Sequence, residues 1–352
     1  MPEEEQTTPE LKPEPKQRKK RSKIVTIFVW GMVILLVPAC TLWFFGRWIY
    51  VADVLASQQM LIGWIALFVA FLIFITRRKG AGFLCLTLAL ISFFPVLTHR
   101  VWVLPEVNFE LKPQGVVRIV SSNINPKNPD WQADLDRLLD LDADIVVLIE
   151  VSAELNRSIR KRGLLDSSPY SRWAHRAWVE YETSPCFILS RLPMRIIDTS
   201  ENEDFAQDLL YTQIETARGT LIVGLAHPLS PRTQSRWIEG NMAITAQTQA
   251  IGKIRKTSDA PVLLCADLNA GPAQWRARQL RTAGLSMSKP VLRIGGSFPT
   301  NSSVPSALRV QLDDIWLAGK ISPIAWSMID VAGSDHMAVV ADFVLEDEVL
   351  GD

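Results

Sequence analysis

Residues 263–272 read LLCADLNAGP: an apolar run ends in Asp267, Leu268 and Asn269, and a Gly-Pro turn follows. Side chains alternate along a strand, so Asp267 and Asn269 share one face and Leu268 takes the other. A surface turn accounts for such residues cheaply, because Asp, Asn, Gly and Pro are its usual builders. An active site accounts for them only if other parts of the chain bring partners to the same place.

The pattern recurs along the chain. VVRIV (116–120) leads into SSNIN, with Asn123 and Asn125, and IVVLIEV (145–151) carries Glu150. TLIVGLAHP (220–228) carries His227, LDDIW (312–316) carries Asp313, and GSDHMAV (333–339) carries Asp335 and His336. Each alone fits a turn. Charge at the end of an apolar strand is costly unless it converges on a metal or a partner, so the repetition points to a shared site. CFILSRLPM (186–194) and MAVVADFVL (337–345) supply further strands. A helix is predicted in PDWQADLDRLLDLDAD (129–144), with Asp130 as N-cap and Trp131, Leu135, Leu138 and Leu139 at helical spacing. A second lies between His227 and Pro261, with Trp237, Met242, Ile244, Ile251 and Ile254. From about Val116 onward the chain therefore reads as a soluble α/β domain of ordinary size.

The first third is of another kind. Residues 1–23 are polar, charged and Pro-interrupted, and are expected to be disordered. Three uncharged apolar stretches follow, Ile24–Phe45, Met60–Ile75 and Ala81–Leu97, each near the ~20 residues that cross a bilayer. They are expected to be three transmembrane helices, the first too long for a cleaved signal peptide. Basic residues cluster before the first stretch and again at Arg77, Arg78 and Lys79, whereas the loop after the first holds only Arg47, near Asp53. The positive-inside rule puts both clusters on the cytoplasmic face. Three crossings then export everything beyond residue 98. The expected layout is an anchor over 24–98, a linker over 99–114 and an exported domain over 115–352.

The chain's formal net charge is zero. Residues 1–114 carry 13 Lys/Arg against 8 Asp/Glu, and residues 115–352 carry 24 against 29. An acidic catalytic domain argues against tight, sequence-blind nucleic-acid binding and suits divalent cations. Of the four cysteines, Cys40 and Cys85 lie in the apolar stretches, and Cys186 and Cys265 in strands. None has zinc spacing. Buried free thiols are expected for the second pair, a disulfide between them being the alternative in an oxidising compartment.

From about Val116 to Phe343 the chain resembles the endonuclease/exonuclease/phosphatase superfamily, whose members resemble deoxyribonuclease I. The resemblance is carried by SSNINPKN, DADIVVLIEVS, FILSRLPM, LAHPLSP, CADLNAGP, LDDIW and GSDHMAVVADF, in the family's order. It implies a two-sheet β-sandwich flanked by helices, four-layer α/β/β/α, and metal-assisted hydrolysis of a phosphate ester. Glu150, Asn123 and Asp335 are then the Mg²⁺ or Mn²⁺ site, since hard oxygen ligands suit those ions. Asp267 matches the residue that orients or deprotonates the attacking water, and Asn269 the one that holds a phosphate oxygen. His336 matches the histidine beside the scissile phosphate, oriented by Asp313, and His227 a second one on phosphate or leaving group. Of the other two histidines, His99 stands at the membrane exit and His175 in a Trp-flanked loop, neither with an assigned role.

This chain departs from the pattern in places. Leu268 stands where the family often has Phe. Asp314 follows Asp313 where an aromatic or His is common; it either adds negative charge near the site or faces solvent, and the second is expected, since neighbours on a strand point apart. Asn125 stands where some nucleases have an acidic ligand, which puts a two-metal site in doubt. Glu182 lies too loosely spaced to be assigned to His227. Ser334, Asp335 and His336 are adjacent and cannot form a serine-hydrolase relay. The leading expectation is a membrane-anchored metal-dependent phosphoesterase acting on nucleic acid, a phospholipid headgroup or a small ester. The alternative is a non-catalytic binding ectodomain. A transporter finds no support in stretches without an ionisable residue.

Overall fold

A computed structural model describes residues 15–97, 101–161, 165–166, 170–180, 184–198, 209–300 and 303–346; His99 and Glu182 lie outside them. The chain divides into two compact units, Met1–Thr41 with Ile62–Ser92, and Leu42–Leu61 with Phe93–Asp352.

The first unit is built from the apolar helices α1 (Pro15–Phe45), α3 (Gln59–Ile75) and α4 (Lys79–Leu97), whose ends near Phe45, Gln59 and Leu97 belong to the second unit together with α2 (Tyr50–Ala56). α1 begins at Pro15, inside the tail expected to be disordered. Among the described residues, two helices rather than three are by themselves long and apolar enough to cross a membrane, Lys23–Phe45 and Lys79–Leu97, and three only if α2 and α3 count as one span. The middle segment is 17 residues long and meets α2 at a 70° bend. Its reach of ~26 Å falls short of a ~30 Å hydrocarbon core by itself.

The second unit stacks two six-stranded mixed sheets. The strands are β1 (Val117–Asn123), β2 (Ile145–Ile149), β3 (His175–Glu180), β4 (Pro185–Ser190), β5 (Met194–Ile197), β6 (Leu210–Thr216), β7 (Gly219–Ala226), β8 (Val262–Asp267), β9 (Ser286–Met287), β10 (Asp313–Ala318), β11 (Ile321–Asp330) and β12 (Met337–Leu345). One sheet runs β11-β12-β1-β2-β4-β3 and the other β5-β6-β7-β8-β10-β9. Each has one parallel pair, β1–β2 and β7–β8, joined by the helical crossovers α5 (Trp131–Leu139) and α7 (Gln234–Thr257). Two shorter helices, α6 (Ala153–Arg160) and α8 (Trp275–Thr282), complete the outer layers.

Period-two alternation sorts the strands' side chains into three cores. Ile145, Val147 and Ile149 meet Leu263, Cys265 and Ile315 between the sheets. Val146 and Leu148 face outward onto Leu135, Leu138 and Leu155 of α5 and α6. Leu264 and Ala266 face Ile244 and Ile251 of α7 and Ala277 and Leu280 of α8. Strands covered on both faces are apolar throughout, as parallel strands between helices must be. Asp130 precedes α5 but makes no side-chain cap. All four cysteines are buried and unbridged, so no disulfide joins Cys186 and Cys265.

Candidate active site

Both parallel pairs run the same way into one end of the sandwich. Asn123, Glu150, His227 and Asp267 end or follow β1, β2, β7 and β8, while Asp313 starts β10 and His336 precedes β12. Asp313 pairs with Asp267 in the β8–β10 register. Asn123, Asp267 and Asp313 stand at odd positions in line with Ile119, Leu263 and Ile315, on the face between the sheets. The apolar core thus ends in a polar layer. His175 starts β3 opposite Ser190, at the other end of the sheet.

Asp267 is the centre. Its Oδ2 accepts from Asn123 Nδ2 at 3.0 Å and lies 3.9 Å from both His227 Nε2 and His336 Nδ1. Its Oδ1 accepts from the backbone of Asn269 at 2.9 Å. Asn269 in turn donates through Nδ2 to Pro228 O at 3.1 Å, tying β8 to the loop after His227. Burial would raise the Asp267 carboxyl, but the His336 and His227 imidazoles, Asn123 and the Asn269 amide hold it below the ordinary value.

His336 Nδ1 sits 2.7 Å from Asp313 Oδ2. Burial opposes its charge, yet Asp313, Asp267 and Asp335 around it push it up to about 10. The imidazolium is therefore the form at neutral pH, with Nε2 left for the cleft. His227 Nε2 lies 3.1 Å from Glu150 Oε1. Despite its burial, bonds to the Cys186 thiol and Glu150, with Asp267 nearby, raise it well above the usual range. Asp335 accepts from Asn125 Nδ2 at 3.1 Å. All eight predicted site residues thus meet at one end of the sandwich, and Glu150, His227, Asn269, Asp335 and His336 line a cleft of about 790 Å³.

The backbone is bent to the same purpose. Asn125, Glu150 and Asn269 have φ of 59°, 56° and 48°, a left-handed conformation that is costly for a glutamate. Four further residues hold the site without having been anticipated. Asp134 accepts from Ala332 and Gly333 N, both at 3.0 Å, and fixes the loop before Asp335. Gly333 has no room for a side chain, since a Cβ would lie 1.6 Å from Asn128 Oδ1. Ser334 Oγ donates to Asn123 O at 2.7 Å, locking β1 to the same loop. Cys186 faces His227 where the sequence offers only a cysteine in an apolar run. Lys127, Arg232 and Arg236 add positive charge to the cleft wall; Lys127 lies within SSNINPKN and Arg232 directly follows LAHPLSP.

Asp314 corrects an expectation. It is 1% exposed, not solvent-facing. Oδ1 accepts from Ser288 Oγ at 2.7 Å and Oδ2 from Lys289 N at 3.2 Å. The strand does turn it away from Asp313, but a loop covers that side.

The donor set fits a hard divalent cation. Among the described residues, the only positive groups within ion-pair distance of Glu150, Asp267 and Asp313 are the two histidines. Asp313 Oδ1 is buried without a hydrogen-bond partner. Asp267, Asp313 and His336 lie close enough together to share an ion. His336 Nδ1 is committed to Asp313, and carboxylate and amide oxygens suit Mg²⁺ or Mn²⁺ better than imidazole does.

Two stacked mixed sheets between helices, with carboxylates and imidazoles at one end, define a four-layer α/β/β/α sandwich with a polar strand-end site. The chain belongs to the Endonuclease/Exonuclease/phosphatase family, whose model matches residues 111–336. The family's name covers nucleases and phosphatases, which are hydrolases of phosphate esters. No curated protein matches the chain. Similar solved structures include D. rerio TDP2 with a single-strand DNA product, at 19% identity and TM-score 0.48 over 65% of this chain and 99% of that one. The human Nocturnin catalytic domain with bound sulfate has 16% identity and TM-score 0.48 over 66% and 96%. A family protein from Bacteroides thetaiotaomicron has 14% identity and TM-score 0.49 over 67% and 100%.

Proposed function

We propose that this chain is a membrane-anchored, metal-dependent phosphoesterase. The observation that carries the reading is Asp267, buried 3.9 Å from each of two imidazoles and kept ionised by them, directly behind the His227 and His336 that line the cleft with Glu150 and Asp335. Glu150, Asn123 and Asp335 would hold Mg²⁺ or Mn²⁺, which when bound supplies charge neutralisation for the phosphoryl oxygens. Asp267 orients the attacking water in line with phosphorus and accepts its proton as the new P–O bond forms; the P–O bond to the ester oxygen on the far side breaks, and that oxygen leaves as the alcohol, protonated by His227 or by solvent. Asn269 presents its amide to a non-bridging oxygen. His336, protonated and steered by Asp313, offers Nε2–H to the charge that grows on the phosphoryl group. His227 stands on the opposite side of Asp267, against Glu150, where it meets a second oxygen of the ester.

Residues 24–98 form the anchor in this reading, 99–114 the linker and 115–352 the catalytic domain. α3 would complete a third crossing and put the cleft on the side opposite the basic tail, outside the cytoplasm. What supports this is the second unit itself, which gathers Trp43 near the end of α1, Met60 at the start of α3 and Val96 at the end of α4 around Ala273.

The test is turnover by the full chain in detergent, with Mg²⁺, Mn²⁺ or EDTA, on a generic phosphodiester, a phosphomonoester, DNA, RNA and phospholipids. Asp267→Ala and His336→Ala are each expected to lower kcat by about 10²–10⁴ with Tm near that of the parent. Turnover that survives EDTA, or both substitutions, would sink the proposal. A folded, metal-binding but inert protein would favour the binding module.

A further inference from the structure

The segment between α1 and α3 grips the two loops that carry His227 and Asn269. Asp53 of α2 is buried, and both its oxygens are used. Oδ2 accepts from Trp237 Nε1 of α7 at 2.8 Å, and Oδ1 from the backbone N of Trp275, which opens α8, at 2.7 Å. Tyr50 donates to Pro231 O at 2.9 Å, and Ser230 and Arg232 on either side of Pro231 line the cleft. Gly271, two residues beyond Asn269, lies against Ser57, whose Cα would be 3.4 Å from an added Cβ. Arg278 of α8 donates to Trp43 O, and the Arg47 and Arg278 guanidiniums each lie 5.3 Å from the Trp275 ring. A buried carboxylate is costly unless satisfied, and one of its two donors comes from α7, whose Arg236, Glu239 and Gly240 line the cleft.

The other side of this segment is apolar and uncovered. Ala52, Asp53 and Ala56 face inward, while Val51 and Leu55, one turn apart, are exposed beside Trp48 and Ile49. Chain continuity says what covers them. The apolar helices α1 and α3 run directly into this segment from both sides. A short segment that joins two membrane-entering helices stays at the bilayer surface, where Trp and Tyr favour the interface.

We infer that Arg47–Ser57 is an interfacial foot that rests on the lipid surface and holds the cleft mouth there, so that the substrate is a phosphate ester borne by a membrane lipid. This rests on the phosphoesterase reading. Tyr50's acceptor, Pro231, is the immediate neighbour of two cleft-lining residues, about 3.8 Å along the backbone, so a headgroup beside the foot is close to the mouth. Lys127, Arg232 and Arg236 suit its anionic phosphate.

The full chain is reconstituted in phosphatidylcholine vesicles with Mn²⁺. It is offered phosphatidic acid and phosphatidylglycerol in the same bilayer, the free headgroups glycerol phosphate and glycerophosphoglycerol, and a single-stranded DNA oligonucleotide. A lipid is expected to be turned over with kcat/KM at least about tenfold above its free headgroup, as surface confinement raises effective concentration. Trp237→Phe, which keeps the ring and removes the donor to Asp53, is expected to retain free-headgroup turnover and lose most of that preference. A spin label on Val51→Cys is expected to be reached by lipid-soluble oxygen and shielded from a water-soluble relaxant. Equal turnover of lipid and free headgroup, preference for DNA, or a water-exposed label would overturn the inference while leaving the phosphoesterase reading intact. Inactivity toward every ester overturns both, and the label still reports the foot by itself.

Discussion

His336 shows how far a single side chain depends on its neighbours. With Asp313 at 2.7 Å and Asp267 at 3.9 Å, its imidazolium persists to about pH 10. The alkaline limb of kcat/KM should therefore lie near that value rather than near the ordinary histidine range. Asp313→Asn removes the nearest negative charge, so the limb should move to lower pH; a limb that stays put would separate His336 from the rate. Asp314 tests the opposite case, a carboxyl pushed up to about 6 by burial. The folded state then holds a proton that the unfolded chain has released. The associated stability is present below the ordinary value of ~4 and is lost as pH rises through 6, by roughly 3 kcal/mol. Asp314→Asn should abolish that slope, and the Tm difference from the parent should grow in the variant's favour between those pH values. Parallel Tm profiles would count against it. At this scale the polar strand ends were legible, since period two places Asp267 and Asn269 on one face. Asp314 was not, because alternation tells which way a side chain points and not what loop lies there. Cys186 was not, because a thiol in an apolar run looks like any buried hydrophobe.

Elements were legible in proportion to how much apolar surface they bury. β1, β2, β4, β7, β8, β10 and β12 each present apolar runs because helices or the other sheet cover both faces, and α5 and α7 show helical periodicity. The missed strands are β3, β5, β6, β9 and β11, and three of them have little to bury. β5 is an edge strand of four residues with an exposed Arg195, and β9 has only two residues. β6, LYTQIET, alternates but spends its outward positions on Gln and Glu. Its Tyr211 explains why β7 carries a glycine in its middle. An alanine Cβ at Gly224 would fall 2.4 Å from the Tyr211 ring, whose hydroxyl is fixed 2.5 Å from Gln247 Oε1. Gly224→Ala should therefore cost about 1–3 kcal/mol, read as a lower denaturation midpoint. Tyr211→Leu should recover part of that loss in the double variant, whereas simple additivity would exclude a clash between these strands.

At the scale of the whole chain, the parity of membrane crossings decides which compartment the cleft serves. The two helices that qualify alone would return the chain to the side of the basic tail. The second unit argues for an odd number. α1 enters it by its C-terminal end, α3 leaves it from its N-terminal end, and α4 re-enters by its C-terminal end, with Trp43, Met60 and Val96 in one cluster. Their opposite ends include the basic residues of the first helix and the Arg77–Lys79 turn, which the positive-inside rule keeps in the cytoplasm. The 17 residues of α3 suffice if the foot before it sits within the interface, so its apparent shortness and the 70° bend have one cause. A C-terminal fusion to a reporter that folds only after export should then be active, and a cytoplasm-only fluorescent reporter at the same point should be dark. Replacing Arg77, Arg78 and Lys79 with Gln should weaken this bias, giving a mixed population by protease protection. A bright cytoplasmic reporter on the unmodified chain would mean that α3 does not cross, and the cleft would then face cytoplasmic phosphate esters.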